Sequence, residues 1–395
     1  MPVSAEQQAI PRRGFGLYVH WPFCVSKCPY CDFNSHVRER VDAARWQQAY
    51  LIEMAHYAAA GVGQGETITS VFFGGGTPSL MPPATAAAIL DAAGRHWHFA
   101  DDVEITLEAN PNSAEAGKFA AFAAAGINRL SIGVQSFDAE VLKFLGRAHD
   151  AGEARRAIEA AAKAVPRYSF DLIYARPGQT AQSWRAELQD ALSLAGDHLS
   201  LYTLTIEPNT GFAGAVARGV LQPMPSDDQA ALYDLTQGIL GQAGMPAYEI
   251  SNHAKPGGES RHNLVYWRSG SYLGLGPGAH MRLQQPGGWQ AMQNRRKPEA
   301  WLEQVESDSH GRESATPVSN AERAEEALMM GLRLAEGVYT GNFRAATGLD
   351  LEVFVPAERS APLEAAGLLV RNPDKIVATR EGRAVLDGLL ARLLA

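Results

Sequence analysis

The sequence predicts an α/β fold: a partial, open (β/α) barrel of about six to seven strands with a winged-helix-like α+β appendage. Three observations lead there. Short β-rich runs alternate with long alanine-rich stretches over most of the chain. Polar or glycine-rich segments follow one strand after another. From about residue 315 the pattern changes to amphipathic helices and a tight turn.

The strands come in order. LYVHW is the first, then TSVFF, followed by the helical PPATAAAILDAAGRHW. VEITLEA precedes SAEAGKFAAFAAAG, and INRLSIGV precedes DAEVLKFL and AGEARRAIEAAAKAV. YSFDLIYA leads into QTAQSWRAELQDALSLA; HLSLYTLTI and, after another helix, PAYEI close the series. Strands separated by helices of this length imply βαβ units and a parallel sheet, because parallel neighbours need a crossover connection. About seven strands are too few for a closed eight-fold barrel, so the sheet is expected to stay open. QQPGGWQ and SDSHGRESATP read as loops, the latter as a linker. Beyond it, AERAEEALMMGLRLAEGV, TGNFRAATG and APLEAAGLLV read as helices. RNPDKIVATREG reads as a hairpin and RAVLDGLLARLL as a last helix. The expected division is 1–314 for the barrel and 315–395 for the appendage.

Composition narrows the function classes. The 395 residues carry a formal net charge of −8, with no basic stripe, which argues against a nucleic-acid binder even if the appendage resembles a winged helix. No apolar run approaches the roughly 18 residues of a membrane span. The opening MPVSAEQQAIPRRG has no apolar core of a signal peptide, so a cytoplasmic protein with reduced thiols is expected.

All three cysteines lie within CVSKCPYC, at positions 24 to 31. A disulfide would leave an odd thiol and close a very short loop. Structural zinc wants four protein ligands and would have to recruit His20 or His36. The better match is an iron–sulfur cube, in which Cys24, Cys28 and Cys31 hold three irons and leave the fourth open to a ligand. The loop follows the first strand and so stands at the carboxyl edge of the sheet, where α/β folds gather their chemistry. The same rim receives Gly74-Gly75-Gly76-Thr77-Pro78 after VFF, Glu108 after VEITL, Gln135 after LSIGV and Asp171 after YSF. Singly each suits a turn or cap; together, facing one cysteine loop, they suit a binding site.

C-x3-C-x2-C followed by GGGTP resembles the radical S-adenosylmethionine (SAM) superfamily. The finer pattern, YVHWPFCVSKCPYCDFNS, FFGGGTPSL, LEANP, SIGVQSF, LGRAH, DLIYARPGQT and HNLVYW, resembles the oxygen-independent coproporphyrinogen III oxidases and their sister heme chaperones. The likeness runs from about residue 15 to the C-terminus. It implies a 4Fe–4S cluster on Cys24, Cys28 and Cys31, in a loop at 20–34, with SAM chelating the open iron. It also implies that Gly75, Gly76 and Thr77 hold the methionine end of SAM, and that Glu108 and Tyr18 contact it. Tyr30 would lie near the adenine, and Gln135, Arg147 and Asp171 around the second SAM or the substrate. Reductive cleavage of SAM would call for a potential of about −400 mV or below, and for a reductant such as flavodoxin or ferredoxin.

Three departures separate the sister branches. Phe33 stands where the oxidases carry a further cysteine, the oxidases' longer N-terminal segment has no counterpart before Tyr18, and Arg261–Trp267 has the H-N-x-x-Y-W form of the chaperones. ARPGQT, with Arg176, is a neutral departure. The resemblance therefore implies heme binding and transfer to an acceptor protein rather than coproporphyrinogen oxidation. A radical SAM oxidoreductase acting on a porphyrinogen is the alternative. His262, Tyr266 and Trp267 are the candidate heme residues, with His253 and His280 as rival ligands. The competing reading of His262 is a core histidine under the barrel edge.

Overall fold

The computed structural model describes residues 10–395; the first nine residues, part of the segment on which the leader expectation rests, lie outside them. Strands β1 (Phe15–Trp21), β4 (Thr67–Gly75), β5 (His98–Ala109), β6 (Arg129–Gln135), β7 (Arg167–Tyr174) and β8 (His198–Thr203) pair in sequence order, all parallel. Two short strands, β2 (Phe23–Cys24) and β3 (His36–Val37), pair apart from this sheet. Strand β9 (Asn252–Ala254) adds to β8 antiparallel, and β10 (Ser271–Leu275) lies parallel to β1. The antiparallel β11 (His280–Gln285), β12 (Gly288–Asn294) and β13 (Arg312–Val318) extend the sheet beyond β10, leaving it open at β9 and β13.

The β-rich runs form strands because both faces are covered. In β1 only Tyr18 is less than fully buried, the signature of a strand between barrel interior and helices. The alanine-rich segments are its outer layer. In Ala151–Ala164 the buried residues are Ala154, Ala157, Ile158 and Ala161, one helical stripe whose small side chains let the helix lie close to the strands.

The seventh parallel strand is at the other edge from the one expected. PAYEI is not a strand. Its Glu249 is buried and accepts from Ser251 N (2.8 Å) and Asn252 Nδ2 (2.7 Å), which folds the segment into a turn ahead of β9. The seventh parallel strand is SYLGL, β10, inserted beside β1. SDSHGRESATP is not a linker either, since Arg312–Val318 is the edge strand β13. It is exposed along most of its length and carries no alternation of apolar residues, so backbone pairing with β12 alone defines it. QQPGGWQ is the tip of the β11–β12 hairpin.

A buried carboxylate ties this antiparallel annex to the barrel. Glu53, on the helix Ala43–Ala59, accepts from Gly276 N (2.9 Å), Gly311 N (2.9 Å), Asn294 Nδ2 (3.0 Å) and Trp301 Nε1 (3.1 Å).

The position expected to open the appendage, 315, falls inside β13; the second hydrophobic core starts with the helix Asn320–Gly331. Strands β14 (Val338–Tyr339), β15 (Leu369–Arg371) and β16 (Lys375–Ala378) form a three-stranded antiparallel sheet, with the expected hairpin between β15 and β16. The closing helix is broken at Val385 into Arg380–Ala384 and Leu386–Leu393. The ion pairs Arg268–Glu336 (2.7 Å) and Arg282–Glu326 (3.0 Å) join this unit to the barrel.

Candidate functional site

The cysteine loop is clasped at its base. Strand β1 runs through Pro22 into β2, which pairs with β3 across the loop; His36 N donates to Pro22 O (2.7 Å) and Arg38 N to Cys24 O (3.4 Å). A turn closed by Cys31 N to Cys28 O (3.2 Å) separates the last two thiols. All three cysteines are free and half-buried. Among the described residues no group of three His, Cys, Asp or Glu side chains is compact enough to hold a single metal ion. Neither His20 nor His36 completes a zinc site, because the His20 ring bonds Tyr18 and Asn34 and the His36 ring bonds Asn34.

The three thiols line a cavity of about 500 Å³ together with Tyr30, Gly75, Gly76, Thr77, Glu108, Gln135, Arg147 and Asp171. Every residue expected to meet the cluster or SAM is therefore here except Tyr18. A chain of hydrogen bonds links two of the cysteines. Thr77 Oγ1 donates to Cys24 Sγ (3.4 Å) and accepts from Asn110 Nδ2 (3.0 Å). Asn110 Oδ1 accepts from Arg147 Nη2 (2.6 Å), and Arg147 Nη1 faces Cys28 Sγ (3.5 Å). The sequence reading passed over Asn110. Its signal is its place in LEANP, one turn from Glu115, whose buried carboxylate accepts from Asn110 N (3.0 Å) and fixes the backbone there.

Polarity without partners marks the same cavity. Gln135 Oε1 and Arg147 Nε are buried and have no hydrogen-bond partner among the described residues. Gln135 is also held at φ 71°, a left-handed conformation that a non-glycine residue adopts at a cost of about 1–3 kcal/mol. Unpaired buried groups on strained backbone are what a binding site looks like before its ligand satisfies it.

Glu108 accepts from Gly75 N (3.1 Å) and is pushed up to about 8 by burial and by the charge of Asp171. Burial raises Asp171 to about 6, against the pull of Ser200, Arg129 and Arg147. Burial likewise raises the Cys24 thiol, with the Thr77 hydroxyl opposing it.

These features fit the donor set of a 4Fe–4S cluster and a zwitterionic nucleoside. Three thiols spread around one cavity, rather than packed about one point, can each take a different iron. The glycines let this turn pack directly against the segment that leads into the cysteine loop. A Cβ on Gly76 would lie 2.7 Å from Phe23 O, and one on Gly75, at φ 115°, would lie 2.6 Å from the His20 ring.

A second cavity, of about 520 Å³, adjoins the first and shares Phe33, Gly75 and Glu108 with it. Tyr18 belongs to this side. Its hydroxyl bonds His20 Nδ1 (3.0 Å), and His20 Nε2 reaches Asn34 O (2.9 Å), so strand β1 braces the end of the cysteine loop. Tyr266 and Trp267 also line it.

His262 does not. It is buried inside the barrel, with Nδ1 bonded to Ser70 Oγ (2.9 Å) and Nε2 to the Tyr266 hydroxyl (2.7 Å), and it stacks over Phe72 at 5.1 Å. Burial pushes it down to about 3. With both nitrogens engaged it has no lone pair to present to the cavity, which corrects its place in the candidate heme set and matches the core-histidine reading. His253 is buried beside Gln237 and lines neither cavity, whereas His280 is exposed and lines the second.

Comparison with known proteins follows the same division of the chain. Residues 18–191 match the Radical SAM superfamily and residues 318–385 the HemN C-terminal domain. The mitochondrial radical S-adenosyl methionine domain-containing protein 1 of Bos taurus is 41% identical over 403 residues, covering 100% of this chain and 89% of the relative. The heme chaperone HemW of Escherichia coli is 39% identical, covering 96% and 98%. The structure of the Escherichia coli coproporphyrinogen III oxidase HemN superposes with a TM-score of 0.79 over 98% of this chain and 91% of that one, at 23% identity.

Proposed function

The chain belongs to the radical SAM family that includes the heme chaperone HemW, and we propose that it binds heme and passes it to an acceptor protein. In this reading it also holds a 4Fe–4S cluster and SAM. The observation that carries the reading is the pair of cavities meeting at Phe33, Gly75 and Glu108, one lined by thiols and the other by aromatic and basic side chains. Phe33 stands where the resembling oxidases have a further cysteine. The likeness to HemN speaks for the fold alone.

Cys24, Cys28 and Cys31 are the proposed cluster ligands. When bound, the cluster would supply a low-potential electron to SAM. Thr77 and Arg147 would donate hydrogen bonds to the Cys24 and Cys28 sulfurs, which stabilises thiolate over thiol and biases the potential upward. The Gly75–Gly76 backbone and Thr77 would hold the methionine end of SAM; Glu108, raised to about 8 by burial and by the charge of Asp171, would face it as a hydrogen-bonding carboxyl. Gln135, Arg147 and Asp171 supply one amide, one cation and one anion for the zwitterion, with Tyr30 against the adenine. Tyr18 acts through His20, positioning the loop. A cytoplasmic location, a heme-accepting partner and a flavodoxin or ferredoxin as reductant belong to the same reading.

The test is anaerobic reconstitution with iron and sulfide, then hemin titration, then mixing with a panel of heme-free candidate acceptor proteins. Uptake of hemin and its appearance in one of them supports the proposal. Decarboxylation of coproporphyrinogen III, with no hemin uptake, overturns it in favour of the oxidoreductase alternative.

A further inference from the structure

The second cavity contains features that a porphyrin would need, and its imidazole is not the one in the HNLVYW segment. Strand β11 alternates. Met281 and Leu283 are buried in the core, whereas His280 and Arg282 point the other way and line the cavity. Among the described residues two imidazoles line it. His20 is buried and uses both nitrogens on Tyr18 and Asn34. The His280 ring makes no hydrogen bond among the described residues. The ring stands on the cavity wall beside Arg282 and Arg296, with its nitrogens free to face a ligand.

The remaining walls suit a flat, amphiphilic ring. Tyr266 meets Tyr272 edge-on at 4.6 Å, and both line the cavity with Trp267. At its mouth Phe33 is 61% and Met330 37% exposed, large apolar surface that a ligand would cover. Of the three lining arginines, Arg282 and Arg323 both pair with Glu326 (3.0 and 2.9 Å). Arg296 has no carboxylate partner among the described residues and is exposed.

We propose that heme occupies this second cavity with a His280 nitrogen as axial ligand, in place of water on the ferric iron, and with Arg296 paired to a propionate. This rests on the heme-chaperone reading above and goes beyond it by naming the ligand and the anion partner. Cargo bound here would share Phe33, Gly75 and Glu108 with the cysteine cavity.

The test titrates hemin into the full chain with its cluster reconstituted, following the Soret band by difference spectroscopy. Wild type, His280→Ala and Arg296→Gln are compared, with thermal unfolding as the check on the fold. His280→Ala is expected to bind at least tenfold more weakly and to lose the ligated Soret position, and free imidazole should restore that position. Arg296→Gln should weaken binding several-fold with the Soret position unchanged. If His280→Ala keeps the affinity and spectrum of wild type, the site assignment falls while the chaperone reading stands. If wild type takes up no hemin, both fall.

Discussion

Replacing Gly76 by alanine tests whether the glycine-rich turn shapes the cysteine loop by direct contact. The added Cβ would sit 2.7 Å from Phe23 O, 2.9 Å from Pro22 C and 3.0 Å from Phe23 C, all backbone atoms leading into Cys24. No side chain can rotate out of the way. The two segments are also laced together, Gly76 N donating to Trp21 O (2.7 Å) and Thr77 N to Phe23 O (2.8 Å). Relief therefore needs the backbone before Cys24 to retreat by about 0.5 Å, at a cost of roughly 1–3 kcal/mol for an overpacked site. A first ligand displaced by about that much leaves the tolerance of a preorganised metal site. The variant should fold with a Tm a few degrees lower and retain less than half of the wild-type iron and sulfide after anaerobic reconstitution, with matching loss of the cluster absorption. Gly94→Ala, in a helix with nothing within 4 Å of the new Cβ, is the control; it should keep its cluster and gain about 0.5–1 kcal/mol. Full iron and sulfide in Gly76→Ala at an unchanged Tm would refute the reasoning.

Other outcomes follow from the same structure. Arg147→Met breaks the links from Asn110 and Gly133 O (2.7 Å) to Cys28, so SAM affinity measured by calorimetry on the reconstituted protein should fall at least tenfold, the worth of one charged hydrogen bond of about 1.5–3 kcal/mol. Glu53→Ala leaves four donors unsatisfied around a buried site and should cost about 3–5 kcal/mol in denaturant unfolding, with Glu53→Gln milder. Stability of the cluster-free chain should peak near pH 6.5. Above that pH the folded state still holds protons on Glu108 (about 8) and Glu53 (about 7), which the unfolded chain has released, so stability falls by about 1 kcal/mol towards pH 8 once the offsetting histidines are counted. Below it His262 (about 3), His20, His149 and His253 (each about 4) take up protons only on unfolding, so stability falls again. Glu108→Gln should flatten most of the alkaline slope in urea titrations; an unchanged slope would contradict the assignment.

Much of this protein is legible in its residues because the signals are local. Three thiols within eight positions single out one loop as a candidate for inorganic chemistry whatever surrounds it. Six of the barrel strands announce themselves as apolar runs between alanine-rich helices, and each polar residue after a strand is carried to the same rim by the parallel topology. What stays hidden depends on partners distant in sequence. β13 is exposed, so only its ladder to β12 makes it a strand. β10 lies in a glycine-rich stretch that carries no strand signal of its own and is defined by its pairing with β1. Asn110 gains its part only when Thr77 and Arg147, 33 and 37 residues away, close on its two ends. The histidines illustrate the limit most directly. In sequence His262 has the aromatic company of a ligand and His280 has none. Folding turns the first inward onto Ser70 and Tyr266, and strand alternation turns the second out into a cavity whose walls come from both ends of the chain. Whether an imidazole keeps a free lone pair depends on which atoms stand within about 3 Å of it, and those atoms are chosen by the tertiary fold.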